Sequence, residues 1–85
     1  MNLVWSRKAW ADYEYWERTD ARVHHKINTL IEDILRHPFT GLGKPEPLKH
    51  ELGGAWSRRL SREHRLVYRV QGNELQIIQC RYHYY

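Results

Sequence analysis

Residues 64–82, HRLVYRVQGNELQIIQCRY, are the stretch that decides the fold. Apolar side chains take every second position from Leu66 to Val70, and this two-residue period predicts a strand with one buried face over residues 64–70. Gln71-Gly72-Asn73 has the composition of a tight turn, and residues 74–82 predict the next strand. The stretch therefore predicts two antiparallel neighbours in a sheet.

Two amphipathic helices are predicted ahead of these strands. Ser6 is a suitable N-cap for a first helix ending near Arg18, because its hydroxyl can accept from an unpaired backbone N–H. Asp20 can cap a second helix, and Pro38 ends that helix one or two residues earlier. The second helix carries an apolar stripe at three- and four-residue steps: Val23, Ile27, Leu30, Ile31, Ile34 and Leu35. Residues 3–5 are apolar and predict a short edge strand.

The order of the predicted elements indicates the fold class. Thr40 to Pro47, rich in glycine and proline, predicts a loop, and Gly53-Gly54 predicts a turn before a strand over Ala55 to Leu60. Helices followed by an antiparallel meander are typical of an α+β fold. We therefore expect one domain over residues 1–85, with an N-terminal helical hairpin packed on one face of an antiparallel β-sheet.

The charge favours a polyanionic partner. The chain has a net charge of +4 and a pI of about 9.5, and residues 43–85 hold eight Lys and Arg against four Glu. RNA would suit this balance, although the same charge could serve solubility alone. A single cysteine excludes an internal disulfide and suits a reducing compartment. Because no apolar signal segment or membrane span is evident, we expect a cytoplasmic protein with no membrane partner.

Two arginines are candidates for binding phosphate. Arg59 and Arg65 lie on predicted neighbouring strands separated by one turn, so the meander would bring them together. Guanidinium groups offer planar, bidentate donors that stay charged. The alternative is an ordinary solvated face on which these arginines pair with Glu63 and Glu74.

Glu46 is a candidate general base. Pro45 and Pro47 restrict the backbone around it, which helps a carboxylate keep one direction. Lys44 and Lys49 favour its ionised form and attract phosphate, but they also make it a weaker base. Either burial restores part of its basicity, or it mainly orients the attacking hydroxyl. The alternative is a rigid connector with solvated charges.

The last residues, Cys80 to Tyr85, contain a candidate general acid, His83. Imidazole titrates near neutral pH, and the tyrosines beside it offer surfaces on which nucleobases stack, although a frayed terminus is the alternative. Cleavage of RNA needs a base for the 2′-hydroxyl, cations for the phosphate and an acid for the leaving 5′-oxygen. Glu46, Arg65 and His83 fit these three roles without a metal.

No metal site or other cofactor is expected. The six histidines have no HxH or HExxH spacing, and Cys80 with His83 forms only a single C-x-x-H. Cys80 lies inside an apolar run and is expected to be a small core residue rather than a nucleophile.

Four blocks of sequence resemble one known family. They are KPEPLKH at 44–50, WSRR at 56–59, EHRLVY at 63–68 and CRYHY at 80–84, with Trp5-Ser6 near the start. In this order they resemble YoeB/Txe-type toxins of the RelE superfamily, over essentially the whole chain. The resemblance implies a RelE-like microbial ribonuclease fold. Tyr85 departs from the family by extending its His-Tyr ending.

The resemblance also implies an activity and partners. It implies the toxin of a type II toxin–antitoxin system, an endoribonuclease that cuts mRNA in the ribosomal A site. It assigns Glu46 as general base, His83 as general acid and Arg65 to the transition-state phosphate, with three residues placing the substrate: Lys49, Arg59 and Tyr84. The implied partners are the ribosome with its mRNA, an antitoxin with an acidic, disordered C-terminal segment, and a second copy in a homodimer.

Two other functions remain open from the residues alone. A basic RNA- or DNA-binding module or repressor subunit would need the arginines and tyrosines but neither Glu46 nor His83. A structural protein that dimerises through the tryptophan-rich helices would need neither the arginines and tyrosines nor the candidate acid and base. Substitution of His83 by Gln distinguishes the enzyme from the binding module, because only the enzyme would lose its activity.

Overall fold

The computed structural model describes residues 1–83, which form two α-helices and a five-stranded sheet. In chain order the elements are β1 (Asn2–Trp5), α1 (Arg7–Thr19), α2 (Ala21–Arg36), β2 (Glu46–Pro47), a 3-10 turn (His50–Leu52), β3 (Trp56–Arg59), β4 (Arg65–Gln71) and β5 (Glu74–Gln79). Among the described residues, no helix is long and apolar enough to cross a bilayer.

The sheet has the strand order β1-β5-β4-β3-β2. Strands β3 to β5 form the predicted antiparallel meander, and the α+β class is confirmed. The prediction of a loop throughout Thr40 to Pro47 was wrong at its end, because Glu46 and Pro47 pair with β3 as an additional edge strand, β2. The sheet is mixed rather than wholly antiparallel, because β1 pairs with β5 in parallel. Two helices and a long loop separate β1 from the meander, so no tight turn fixes its direction.

The helix boundaries follow from local capping. Ser6 Oγ accepts from the Ala9 N–H at 3.0 Å at the start of α1, and Asp20 Oδ1 accepts from the Arg22 N–H at 3.0 Å at the start of α2. These bonds satisfy donors that a helix leaves unpaired at its N-terminus. Both predicted caps are confirmed, and α2 ends at Arg36, two residues before Pro38.

Apolar side chains pack on both faces of the sheet. The main core lies between the helices and the sheet and is formed by Ala9, Trp16, Ile27, Leu30, Ile31, Ile34, Leu60, Leu66, Tyr68, Leu75, Ile77 and Cys80. On the opposite face, here called the distal face, Leu48, Ala55 and Val67 form a smaller cluster. The distal face therefore carries a small apolar cluster of its own, which the sequence did not predict.

Arg58 organises the loop that follows α2. Its side chain has no solvent exposure, and Nη1 donates to Asp33 Oδ2 at 2.6 Å. The same guanidinium donates to the carbonyls of His37, Thr40 and Leu42. A buried cation is tolerated when its donors are satisfied in this way. Arg58 is therefore a structural residue and does not contribute to a basic surface.

Candidate active site

Strand pairing places Arg59 directly opposite Arg65. Side chains alternate along a strand, and Leu66 and Tyr68 belong to the main core, so Arg65 points to the distal face. The predicted convergence of these two arginines is confirmed by their register. Two like charges directly opposite one another repel, so an anion bound between them would be stabilised.

The guanidinium of Arg65 is held by the turn between β3 and β4. Its Nη1 donates to the carbonyls of Ser61 at 2.8 Å and His64 at 3.0 Å, with a longer bond of 3.4 Å to Arg62. Among the described residues, the hydrogen bonds of this group involve Nη1 alone. The guanidinium is thus oriented before a ligand binds, and within residues 1–83 its Nε and Nη2 have no acceptor and can donate to a phosphate.

A basic pocket of about 420 Å³ opens beside this pair. Its lining contains four cationic side chains, Lys26, Arg59, Arg62 and Arg65, together with Leu60 and Ser61. Such a cluster attracts phosphate groups. Lys26 and Arg62 were missed as site residues, because the sequence does not show how close α2 lies to the β3–β4 turn.

Glu46 lies on the same face as the arginines. It pairs with Ser57 of β3, which in turn pairs with Val67 in the distal-face cluster. Paired residues point to the same side of a sheet, and Ser57 precedes Arg59 by two positions. Glu46 is level with Val67, so it lies two strands across and two residues along from Arg65, about 12 Å at ordinary strand spacing and rise. The two side chains are therefore close enough to contact one extended ligand.

Glu46 and Lys49 line a cleft of about 600 Å³ formed by residues 46–52. Both side chains are exposed. The sequence left open whether burial increases the basicity of Glu46. Glu46 is exposed here, so the fold itself does not supply that burial.

His83 is joined to Arg65 through the backbone of its neighbour. The Arg65 N–H donates to the Tyr82 carbonyl at 3.0 Å, and Gln79 Nε2 donates to the His83 carbonyl at 3.0 Å. His83 is exposed and lies four residues after the end of β5, which is Gln79. The predicted substrate residue Tyr84, with Tyr85, lies outside the described residues.

Helix α1 holds the start of this C-terminal turn, which comprises residues 80–83. Asp12 Oδ2 accepts from the Cys80 N–H at 3.0 Å, and Trp16 Nε1 donates to the Cys80 carbonyl at 2.8 Å. The apolar pattern predicted that β5 would continue to Tyr82. Because these two bonds take up the backbone groups of Cys80, β5 ends at Gln79 instead. The Arg81 guanidinium lies 3.6 Å from the centre of the Tyr15 ring, a cation–π contact.

Cys80 is a core residue, as predicted. It has no solvent exposure, and burial, reinforced by the nearby Asp12 carboxylate, raises the pKa of its thiol to about 12. A thiol in this state is not a nucleophile at neutral pH. In the part of the chain that the structure describes, no three His, Cys, Asp or Glu side chains are grouped to hold a metal ion.

His64 and Gln79 are the further residues at this site that the sequence analysis did not select. His64 was considered only as a metal ligand, although the alternation with Leu66 and Tyr68 places it on the helix-facing side of β4. A polar residue at an otherwise apolar position was the available signal. Gln79 carried no such signal, because glutamine is common at partly exposed strand ends.

Comparison with known proteins identifies the family. A family model described as "YoeB-like toxin of bacterial type II toxin-antitoxin system" matches residues 5–84. The chain is 60% identical to Toxin YoeB of Escherichia coli strain K12 over 84 residues, covering 99% of this chain and 100% of that protein. Among solved structures, a YoeB/ParE toxin from Agrobacterium tumefaciens aligns with a TM-score of 0.96 and 59% identity, covering 99% of this chain and all of that one.

Staphylococcus aureus YoeB provides two further comparisons. A structure of its dimer aligns with a TM-score of 0.92 and 45% identity. A heterotetrameric YoeB-YefM toxin-antitoxin complex aligns with a TM-score of 0.90, also at 45% identity. Each alignment covers 99% of this chain and 98% of the other. The chain therefore belongs to the family of YoeB-like toxins of bacterial type II toxin–antitoxin systems.

Proposed function

We propose that this toxin is a ribosome-dependent endoribonuclease that cuts mRNA in the ribosomal A site and thereby stops translation. The observation that carries the proposal is the arrangement of Glu46 and the Arg59–Arg65 pair on the distal face, with the backbone of residue 82 bonded to Arg65. A base, an oriented cation and an acid are the three groups that RNA cleavage requires.

The proposed reaction is an internal transfer within the RNA. Glu46 orients the 2′-hydroxyl and accepts its proton, and the 2′-oxygen forms a bond to the adjacent phosphorus. Arg65 stabilises the charge that develops on the phosphate oxygens. His83 donates a proton to the 5′-oxygen as the phosphorus–oxygen bond breaks. The products are a 2′,3′-cyclic phosphate and a 5′-hydroxyl, and the residues themselves need no metal ion.

Lys49, Arg59 and Tyr84 are proposed to hold the substrate. Lys49 lies in the cleft beside Glu46, and Arg59 lines the basic pocket. The aromatic ring of Tyr84 would offer a stacking surface for a base. Lys26 and Arg62 extend the same set, since they line the basic pocket with Arg59.

The proposed partners follow from charge and from the relatives. The basic pocket suits the acidic, disordered C-terminal segment of an antitoxin, which would compete there with RNA. The YoeB-YefM complex and the YoeB dimer of Staphylococcus aureus support an antitoxin partner and a homodimer. The proposed action on ribosomes places the protein in the bacterial cytoplasm. Its free cysteine, Cys80, suits that reducing compartment.

The proposal is tested by single-turnover cleavage of mRNA on programmed ribosomes. Glu46→Gln and His83→Gln should each lower the rate by about 10²- to 10⁴-fold while ribosome binding stays near wild type. Arg65→Gln should lower the rate to a similar extent and also weaken ribosome binding, since Arg65 lines the basic pocket. Arg36→Gln is the matched control, since Arg36 is an exposed cation at the end of α2. Full activity of His83→Gln would reject His83 as the acid, and ribosome binding without any cleavage by the wild-type protein would favour the non-catalytic RNA-binding module.

A further inference from the structure

We propose that His64 is a positioning residue that holds the C-terminal turn so that His83 can act as general acid. This inference rests on the proposed function, because it concerns the same proton transfer. His64 immediately precedes Arg65, so one dipeptide would orient both the proposed acid and the phosphate-binding guanidinium.

The central observation is the hydrogen bond between the Tyr82 N–H and His64 Nδ1, at 2.7 Å. Tyr82 has a φ of 65°, a left-handed conformation that is unfavourable for a residue with a side chain. The Tyr82 carbonyl accepts from the Arg65 N–H at 3.0 Å. Both backbone polar groups of Tyr82 are thus bound by residues 64 and 65, which offsets the unfavourable conformation of the residue that precedes His83.

Packing fixes the imidazole of His64 for this role. Its ring meets the Trp16 ring edge-on, with centroids 4.7 Å apart and planes at 76°. Trp16 is itself buried and donates to the Cys80 carbonyl. At the backbone, the His64 N–H donates to Ser61 Oγ at 3.2 Å. The ring therefore has neighbours that restrict its rotation.

The hydrogen bond also determines the tautomer of His64. A backbone N–H can only donate, so Nδ1 must be the nitrogen without a proton, and the ring proton lies on Nε2. In this form Nδ1 of His64 acts as the acceptor for the Tyr82 N–H. The His64 carbonyl additionally accepts from Arg65 Nη1 at 3.0 Å. Loss of the Nδ1 acceptor should therefore misplace His83 more than it weakens RNA binding.

Two variants separate the hydrogen bond from the packing. His64→Phe keeps a flat ring against Trp16 but has no acceptor, whereas His64→Asn loses the ring and places an amide oxygen close to the Nδ1 position. In single-turnover cleavage on ribosomes, we expect His64→Phe to be about 10²-fold slower, as for a reacting group displaced by roughly 1 Å. His64→Asn should keep most of the rate despite a lower melting temperature. His25→Asn, at an exposed histidine on α2, is the matched control.

A second substrate tests whether the defect concerns proton donation. When sulfur replaces the 5′-oxygen at the scissile phosphate, the leaving thiolate needs little help from an acid. The defect of His64→Phe should then shrink toward wild type, and so should that of His83→Gln. A merely structural defect would slow both substrates equally.

The outcomes distinguish this inference from the proposed function. If His83→Gln is slow but His64→Phe cleaves at the wild-type rate, the positioning role is wrong and the proposed acid stands. If His64→Asn is as slow as His64→Phe, or the sulfur substrate rescues His83→Gln but not His64→Phe, the defect at His64 is structural rather than a loss of proton donation, and the inference is overturned. If His83→Gln itself is fully active, the proposed function fails first.

Discussion

At the scale of single residues, the buried charge of Arg58 is the most demanding feature of this fold. Five donor contacts satisfy its guanidinium, and they involve Asp33, Tyr68 and three loop carbonyls. Removing one partner of such a pair leaves an uncompensated charge in a place without water. The fold therefore depends on Asp33, which is itself partly exposed.

Replacement of Asp33 by Asn should lower the free energy of unfolding by about 3 kcal/mol, the usual cost of breaking a buried ion pair. Urea denaturation followed by tryptophan fluorescence measures this change. Glu32→Gln is the control, because Glu32 is exposed and its ion pair with Arg36 spans 4.0 Å at the surface. Equal stability of the two variants would contradict a structural role for the Arg58–Asp33 pair.

The same pair predicts how stability depends on pH. The hydrogen bond from Arg58, followed by that from the Leu42 N–H, lowers the pKa of Asp33 below its ordinary value of 3.8. A carboxyl group with a lowered folded-state pKa stabilises the fold above the unfolded pKa, and this stabilisation is lost as the pH falls through the folded pKa. The stability difference between wild type and Asp33→Asn should thus be constant above about pH 5 and shrink below pH 3.8. A difference that persists unchanged at pH 2 would contradict this account.

At the scale of elements, the loop between α2 and β2 is shaped by the glycine that approaches Asp33. Gly41 has a φ of 114°, and a Cβ built there would collide with the Asp33 carboxylate. That carboxylate is engaged by Arg58 and the Leu42 N–H, so it has little freedom to move. The loop conformation and the ion pair therefore depend on each other.

Gly41→Ala should lower stability by about 2–3 kcal/mol, from the unfavourable backbone conformation and the collision together. Gly72→Ala is the matched control, since Gly72 also has a positive φ of 59° but no atom lies within 4 Å of a built Cβ. It should lose only about 1 kcal/mol. Thermal unfolding of both variants measures the difference, and similar losses would show that the collision is relieved at little cost.

Capping residues and apolar periodicity, which act between neighbours in sequence, predicted the helices and the main strands. The features that they did not predict depend on contacts between residues far apart in the chain. Ser6 and Asp20 act within one turn of the chain, so the helix starts could be predicted from neighbouring residues. The end of β5 could not, because Cys80 continues the apolar pattern while Asp12 and Trp16 of α1 take its backbone groups. The direction of β1 also could not be predicted locally, because it depends on pairing with β5 at the other end of the chain.

At the scale of the whole molecule, the candidate site combines residues that the sequence indicated with residues that only packing brings near. Arg59 and Arg65 could be predicted to converge, because one turn joins their strands. Lys26 could not, since its place in the basic pocket depends on how α2 packs over the sheet. His64 was recognisable only as a polar residue on an apolar face.

The basic pocket predicts a salt-dependent association with ribosomes. Each phosphate contact that is lost should reduce the slope of log affinity against log salt by roughly 0.7–0.9. Lys26→Gln should therefore flatten the slope by about 1 while leaving the cleavage rate of bound mRNA near wild type. Arg36→Gln should change neither quantity. An unchanged slope for Lys26→Gln would contradict the pocket as a docking surface.

The most direct test of the central claim is the fate of an end-labelled mRNA whose A-site codon carries a single 2′-deoxy nucleotide at the cleavage position. The account predicts that the all-ribose mRNA is cut on ribosomes to a 2′,3′-cyclic phosphate and a 5′-hydroxyl, and that the substituted mRNA stays intact. Cleavage of the 2′-deoxy mRNA at the same position, or products with a 5′-phosphate, would contradict attack by the 2′-hydroxyl and with it the proposed roles of Glu46 and His83.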